Sequence, residues 1–296
     1  MAAQSKLWCK CIDLCVASAF VAGLSAVGQS ATAADWSDTA LSWRYGTDFA
    51  EPFDNNADGS RKDIAKNIFA LTHADGYAYG TNFFNVDILL SNGADPGNGV
   101  AGQPGAQEIY VVYRNTLDAG KIFGQNFQMG PIRDWGATIG FDMNSKNDAY
   151  ASKKRMLVLG PTVMIDVPGF WNISILVLDE SNAPNGIPSR YYYNIHPALD
   201  TSWGIPIGDQ WVFKGYFQYI AAKGTNEFGG PTAPETHFDG EIMYDLGSLL
   251  HGPKKTFFAG FEYEYWKNKF GNPATEPGAG PGALAKTPMV RLEYHF

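Results

Sequence analysis

The sequence predicts an all-β chain: a transmembrane antiparallel up-and-down β-barrel of twelve strands over residues 34–296. Three observations predict it. Stretches of ten to fifteen residues alternate between apolar and polar side chains, the period of a two-faced strand. The connections between them alternate between long, Gly/Pro/Asn/Asp-rich loops and tight turns, as outer-membrane barrels do. After Ala33 no apolar run reaches the eighteen residues that a membrane helix needs, so only strands could cross a bilayer.

The N-terminal segment stands apart. Lys6 and Lys10 precede the apolar stretch Leu14–Val27, and Ala31 and Ala33 form an A-x-A site, so residues 1–33 read as a secretory signal peptide that is removed. Cys9, Cys11 and Cys15 all lie within it. The remaining chain therefore has no cysteine for a disulfide, a thiolate metal site or a nucleophile. The full sequence carries a net charge of −8, and this acidity argues against nucleic-acid binding.

Twelve strands are expected near 38–50, 62–74, 78–91, 106–116, 131–144, 154–167, 170–180, 189–203, 210–223, 236–248, 255–268 and 287–296. The last is the clearest. Val290, Leu292, Tyr294 and Phe296 share one face; Arg291, Glu293 and His295 share the other. The fifth sets Trp135, Ile139 and Phe141 against Thr138 and Asp142, and the ninth sets Trp211, Phe213 and Phe217 against Lys214 and Tyr216. The second and sixth are apolar on both faces and leave their orientation open. Long loops follow the odd-numbered strands and tight turns the even ones, except that 117–130 is too long for a tight turn. Trp135, Trp171, Trp211, Tyr294 and Phe296 gather at the short-turn rim, where an aromatic girdle would meet lipid headgroups.

If the apolar faces meet lipid, the inward faces carry Arg44, Asp48, Tyr110, Arg114, Asp142, Arg190, Tyr192, Lys214, Tyr216, Glu241, Phe258, Glu262, Glu264, Arg291 and Glu293, with His196, Asp239 and Trp266 among them. The reverse arrangement would set basic groups against lipid at about 2–4 kcal/mol each at the midplane. Twelve strands leave room for an aqueous lumen narrower than a general porin's. Charges facing one another there constrict and select. Aromatic rings among them suit a flat polar solute, stacked on its face and hydrogen-bonded at its edge.

Catalytic and metal motifs are missing from the sequence. There is no H-E-x-x-H, no G-x-S-x-G and no phosphate-binding glycine loop, so no catalytic residue, metal or cofactor is expected. A soluble periplasmic β-barrel binding protein and a lipid-modifying barrel enzyme stay open as alternatives.

The stretch "MGPIRDWGATIGFDMNSKND", 129–148, resembles the Tsx-type nucleoside-specific channel-forming outer-membrane proteins. "SWRYGTDFAEPF" and the closing "VRLEYHF" are similar in character and position. The resemblance covers most of the chain in layout and a few short stretches in residues. It implies a monomeric twelve-stranded barrel in the outer membrane of a Gram-negative cell, whose narrow pore passes nucleosides past lumenal aromatic and ionisable groups. Likeness to outer-membrane proteins in general implies that the terminal aromatic is read by the barrel assembly machinery.

Overall fold

The computed structural model describes residues 34–247, 249–275 and 278–296; the expected signal segment, 1–33, lies outside the described residues. Its strands are β1 (Trp36–Phe49), β2 (Ile64–Tyr77), β3 (Gly80–Ser91), β4 (Gln107–Asp118), β5 (Ile132–Lys146), β6 (Arg155–Ile165), β7 (Phe170–Asn182), β8 (Tyr191–Tyr192), β9 (His196–Ile207), β10 (Trp211–Ile220), β11 (Glu235–Asp245), β12 (Phe257–Lys267) and β13 (Leu284–His295). All pairings are antiparallel. The two-residue β8 merely extends β7 at the rim. The other twelve run in sequence order around a closed barrel, with β1 joined to β13 and β7 to β9. Closure leaves no edge, so backbone groups pair internally, as a strand in hydrocarbon requires.

Strand alternation decides what faces where. Along β13, Thr287, Met289 and Glu293 are almost fully covered, whereas Val290, Leu292 and Tyr294 are 43%, 38% and 51% exposed. Exposed side chains form an apolar outer band, including Phe69, Ile88, Ile109, Ile139, Leu159, Ile175 and Phe261. Trp36, Trp135, Trp171, Trp211 and Tyr294 are exposed where strands meet the short-turn rim. On this outer surface Trp203 lies against Phe213 and Phe238, with ring centroids 5.5 and 6.0 Å away. It fits because Gly215 is bare: a Cβ there would come within 2.2 Å of the Asp239 carbonyl oxygen and 3.1 Å of the indole.

One local expectation needs correction, at the connection between β2 and β3. The turn expected at Ala74–Tyr77 lies at Ala78–Tyr79, because β2 runs on to Tyr77. Gly76 serves a close approach within the strand, since a Cβ would lie 2.2 Å from the Trp36 indole nitrogen. The long 117–130 connection holds a one-turn helix, α1 (Ala119–Phe123). Asp118 caps it by accepting from the Lys121 amide at 2.8 Å, and left-handed Gly124 ends it.

Candidate functional site

The lumen is filled by side chains whose chemistry changes around the barrel. One wall, formed by β1 and β10–β13, is charged. Period-two placement puts Asp239 and Glu241 of β11, Glu262 and Glu264 of β12, and Arg291 and Glu293 of β13 on the inner face. Register sets Glu241 opposite Glu262 and Asp239 opposite Glu264. Like charges directly opposed are destabilising. Arginine answers part of that repulsion. The Arg291 fork lies 2.7 Å from each of Glu241, Glu262 and Glu293. Arg44 reaches Asp87 at 2.5 Å and Glu262 at 3.1 Å, and Lys214 reaches Glu293 at 2.5 Å and Glu241 at 3.4 Å. Six carboxylates thus face three cationic side chains in this band, with Asp239 and Glu264 outside these ion pairs.

The opposite wall is mostly apolar. Met156 and Val158 of β6, Leu176 and Leu178 of β7, Ala198 of β9 and Ile220 of β10 form one buried cluster. Beside it, on β4 and β5, Arg114 pairs with Asp142 at 2.5 Å; the Tyr110 hydroxyl donates to Asp142 at 3.4 Å. Nearer the short-turn rim, the hydroxyls of Thr116, Thr138, Thr162 and Ser174 form a chain across β4, β5, β6 and β7. Its links are 3.0, 2.7 and 2.8 Å.

At the long-loop mouth, Glu51 follows β1 and turns into the barrel. Three lysines from separate elements converge on it. Lys66 of β2 lies at 2.5 Å, Lys269 beyond β12 at 3.3 Å and Lys146 of β5 at 3.5 Å. Lys146 also meets Asp95 and Asp148 from two further loops, at 2.9 and 2.8 Å. Burial alone would raise the Glu51 pKa, but Lys146, Lys269 and Lys66 together hold it well below the usual carboxylate range. One carboxylate therefore ties β2, the end of β5 and the segment beyond β12 together across the mouth.

Most predicted site residues face this interior: Arg44, Tyr110, Arg114, Asp142, Lys214, Tyr216, Glu241, Phe258, Glu262, Glu264, Arg291 and Glu293. Tyr216 contacts His237 and lies in the charged band, while Phe258 packs edge-on against His295 at the short-turn end. Three predicted residues do not face the lumen. The register of β1 slips between Gly46 and Phe49, so buried Phe49 takes the inward place. Asp48 is left at the rim, 3.9 Å from Arg61. The expected eighth strand breaks between β8 and β9, at Tyr193–Ile195. That interruption inverts the facing. Tyr191 pairs with inward Asn182, and Tyr192, 52% exposed, points out. Arg190 caps the rim by donating to the Lys153 carbonyl and the Ser181 hydroxyl.

Sequence reasoning missed Glu51 and His237. Glu51 sits in a loop without periodicity. His237 was legible, since H-x-D at 237–239 sets two ligand types on one strand face, but its approach to Glu264 depends on register.

The architecture defines a closed antiparallel β-barrel with an apolar outside and a charged interior. No known family model matches the chain, and no curated protein matches it. Among solved structures it is similar to the KdgM porin, at 8% identity and a TM-score of 0.42 over 87% of this chain and 99% of that one. It is also similar to the translocator domain of the autotransporter NalP from Neisseria meningitidis, at 14% identity and a TM-score of 0.40 over 96% and 98%. OmpT of Vibrio cholerae follows at 10% and 0.36, over 88% and 99%. Likeness at this level is to a barrel outline and assigns neither family nor activity.

Proposed function

We propose that this chain is an outer-membrane channel for small polar solutes, nucleosides first among them. One observation carries the reading: a closed twelve-stranded barrel turns an apolar, aromatic-rimmed surface outward and a charged surface inward. That inside-out distribution suits lipid outside and water or solute within. The charge band supplies a constriction, and the loops tied by Glu51 narrow its entrance. Tyr216 and Phe258 offer inward rings beside Lys214 and Glu293 respectively, where a base could stack while ribose hydroxyls meet charged groups. The choice of nucleosides rests on the resemblance of residues 129–148 and on that pairing of rings with charges. Passage requires weak binding, so affinity should be modest.

The test is reconstitution in planar bilayers, after confirming that the protein fractionates with outer membranes and migrates differently in SDS when heated. Adenosine or thymidine should reduce the current saturably, glucose should not, and Tyr216→Ala should weaken the block. An equal response to nucleosides and glucose would reduce the protein to a narrow general porin. Recovery in the soluble periplasmic fraction would end the channel reading.

A further inference from the structure

We propose that His237, Asp239 and Glu264 form a binding site for one divalent transition-metal ion, of the zinc or manganese kind, inside the lumen. His237 and Asp239 are two residues apart on β11 and share its inner face; register places Glu264 of β12 opposite Asp239. One ligand atom from each lies within 4.8 Å of the other two. Small side-chain rotations would close that spread onto bonds of about 2.0–2.2 Å.

Two carboxylates without a lysine or arginine partner, one of them with an unmet buried oxygen, point to an ion rather than to an ordinary polar cluster. Asp239 is 9% exposed, and among the described residues no lysine or arginine ion-pairs with its carboxylate, whose hydrogen-bonding neighbour is the Glu262 carboxylate. The charges acting on it most are Glu262, Arg44, Glu264 and Glu241, and Arg44 is already held by Asp87 and Glu262. Glu264 Oε1 is fully buried and has no hydrogen-bond partner. The nearest lysines toward the mouth, Lys66 and Lys269, are occupied by Glu51. Buried carboxylates without counter-charge are strongly destabilising, and a dication would supply it.

The imidazole is positioned by its neighbours, with Nε2 also 3.6 Å from Glu264. Its Nε2 lies 3.2 Å from the Tyr216 hydroxyl, and its ring stacks on Trp266 at 3.9 Å with planes 6° apart. A mixed nitrogen and oxygen set favours a first-row ion over calcium or magnesium, which prefer oxygen alone.

The test uses the barrel refolded in detergent, titrated with Zn²⁺ by calorimetry and with Co²⁺ by visible absorption. One Zn²⁺ per chain is expected, with affinity falling about tenfold or more in His237→Gln and Asp239→Asn. His73→Gln, on the outer face beside Thr39, should bind as the wild type does. Bound Co²⁺ should show the intense bands of a four- or five-coordinate site. Uptake that never saturates at one ion, or that is equal in His237→Gln and the wild type, overturns the proposal in favour of a proton shared between carboxylates. If Asp239→Asn gives no heat-modifiable barrel, Glu264→Gln and the wild-type Co²⁺ spectrum decide, and a six-coordinate, water-like spectrum overturns it. Conductance is not measured, so failure here leaves the channel proposal standing.

Discussion

The two walls of the lumen close the same space by opposite means. On β1 and β10–β13, carboxylates and guanidinium groups mesh across strands, and Glu262 has a side chain at 0% exposure between Arg44 and Arg291. On β6, β7 and β9, Val158, Leu176 and Leu178 reach 1–2% exposure, packed on one another and on Met156, Ala198 and Ile220. The charged wall is held by directional contacts whose loss leaves buried charge behind. The apolar wall is held by packing, where loss leaves a void. If the barrel is a channel as proposed, the denser charge of the first wall gives it more means to distinguish one polar solute from another.

The sharpest way to break that contrast is Glu262→Ala. It strands Arg44 and Arg291 in a buried site and should cost about 3–5 kcal/mol of barrel stability. Urea unfolding in detergent measures the loss, and ion selectivity in bilayers should change with it. Leu176→Ala is the matching change on the other wall. It should cost about 2–5 kcal/mol through the lost side chain and its cavity, and leave ion selectivity as it was. A selectivity change in Leu176→Ala would mean that the apolar wall helps to choose the solute.

Glu51→Gln tests the tie across the mouth and should cost about 1.5–3 kcal/mol, the scale of a charged hydrogen bond. Because the folded Glu51 pKa is depressed, the stabilisation is fully present above the unfolded value of about 4.3 and is lost as pH falls through the lower folded one. Wild-type loops should therefore resist protease at pH 5 and yield only in stronger acid. Glu51→Gln should be cut faster at neutral pH and lose this acid-dependent step. Deleting Phe296 should have the smallest effect on stability. Its side chain is 68% exposed, so unfolding midpoints should barely move while assembled yield in the membrane drops. Unchanged yield would make it one more girdle aromatic.

Which parts were legible in the sequence follows from which parts obey a period. Strand alternation placed all twelve long strands, and the facing of β5, β10, β11, β12 and β13 followed directly. It failed at β2 and β6 because Ile64, Ile68, Met156 and Val158 are apolar yet point inward, so neither face stands out. Slips of register at Gly46–Phe49 and Tyr193–Ile195 are invisible to a period-two count, and each turned a predicted lumenal residue away from the lumen. Contacts between strands, such as Asp239 with Glu264, depend on register. The reach of Glu51 depends on a loop path that no pattern encodes.

The chain of hydroxyls from Thr116 to Ser174 acts like a hoop on a cask. It runs around the circumference, so any widening of the lumen near the short-turn rim must pull its links apart together. Each inner hydroxyl takes part in two links, so severing one also disturbs the next. The girth at this level is fixed on the side of β4–β7, and any give in the wall must come from the other side of the barrel.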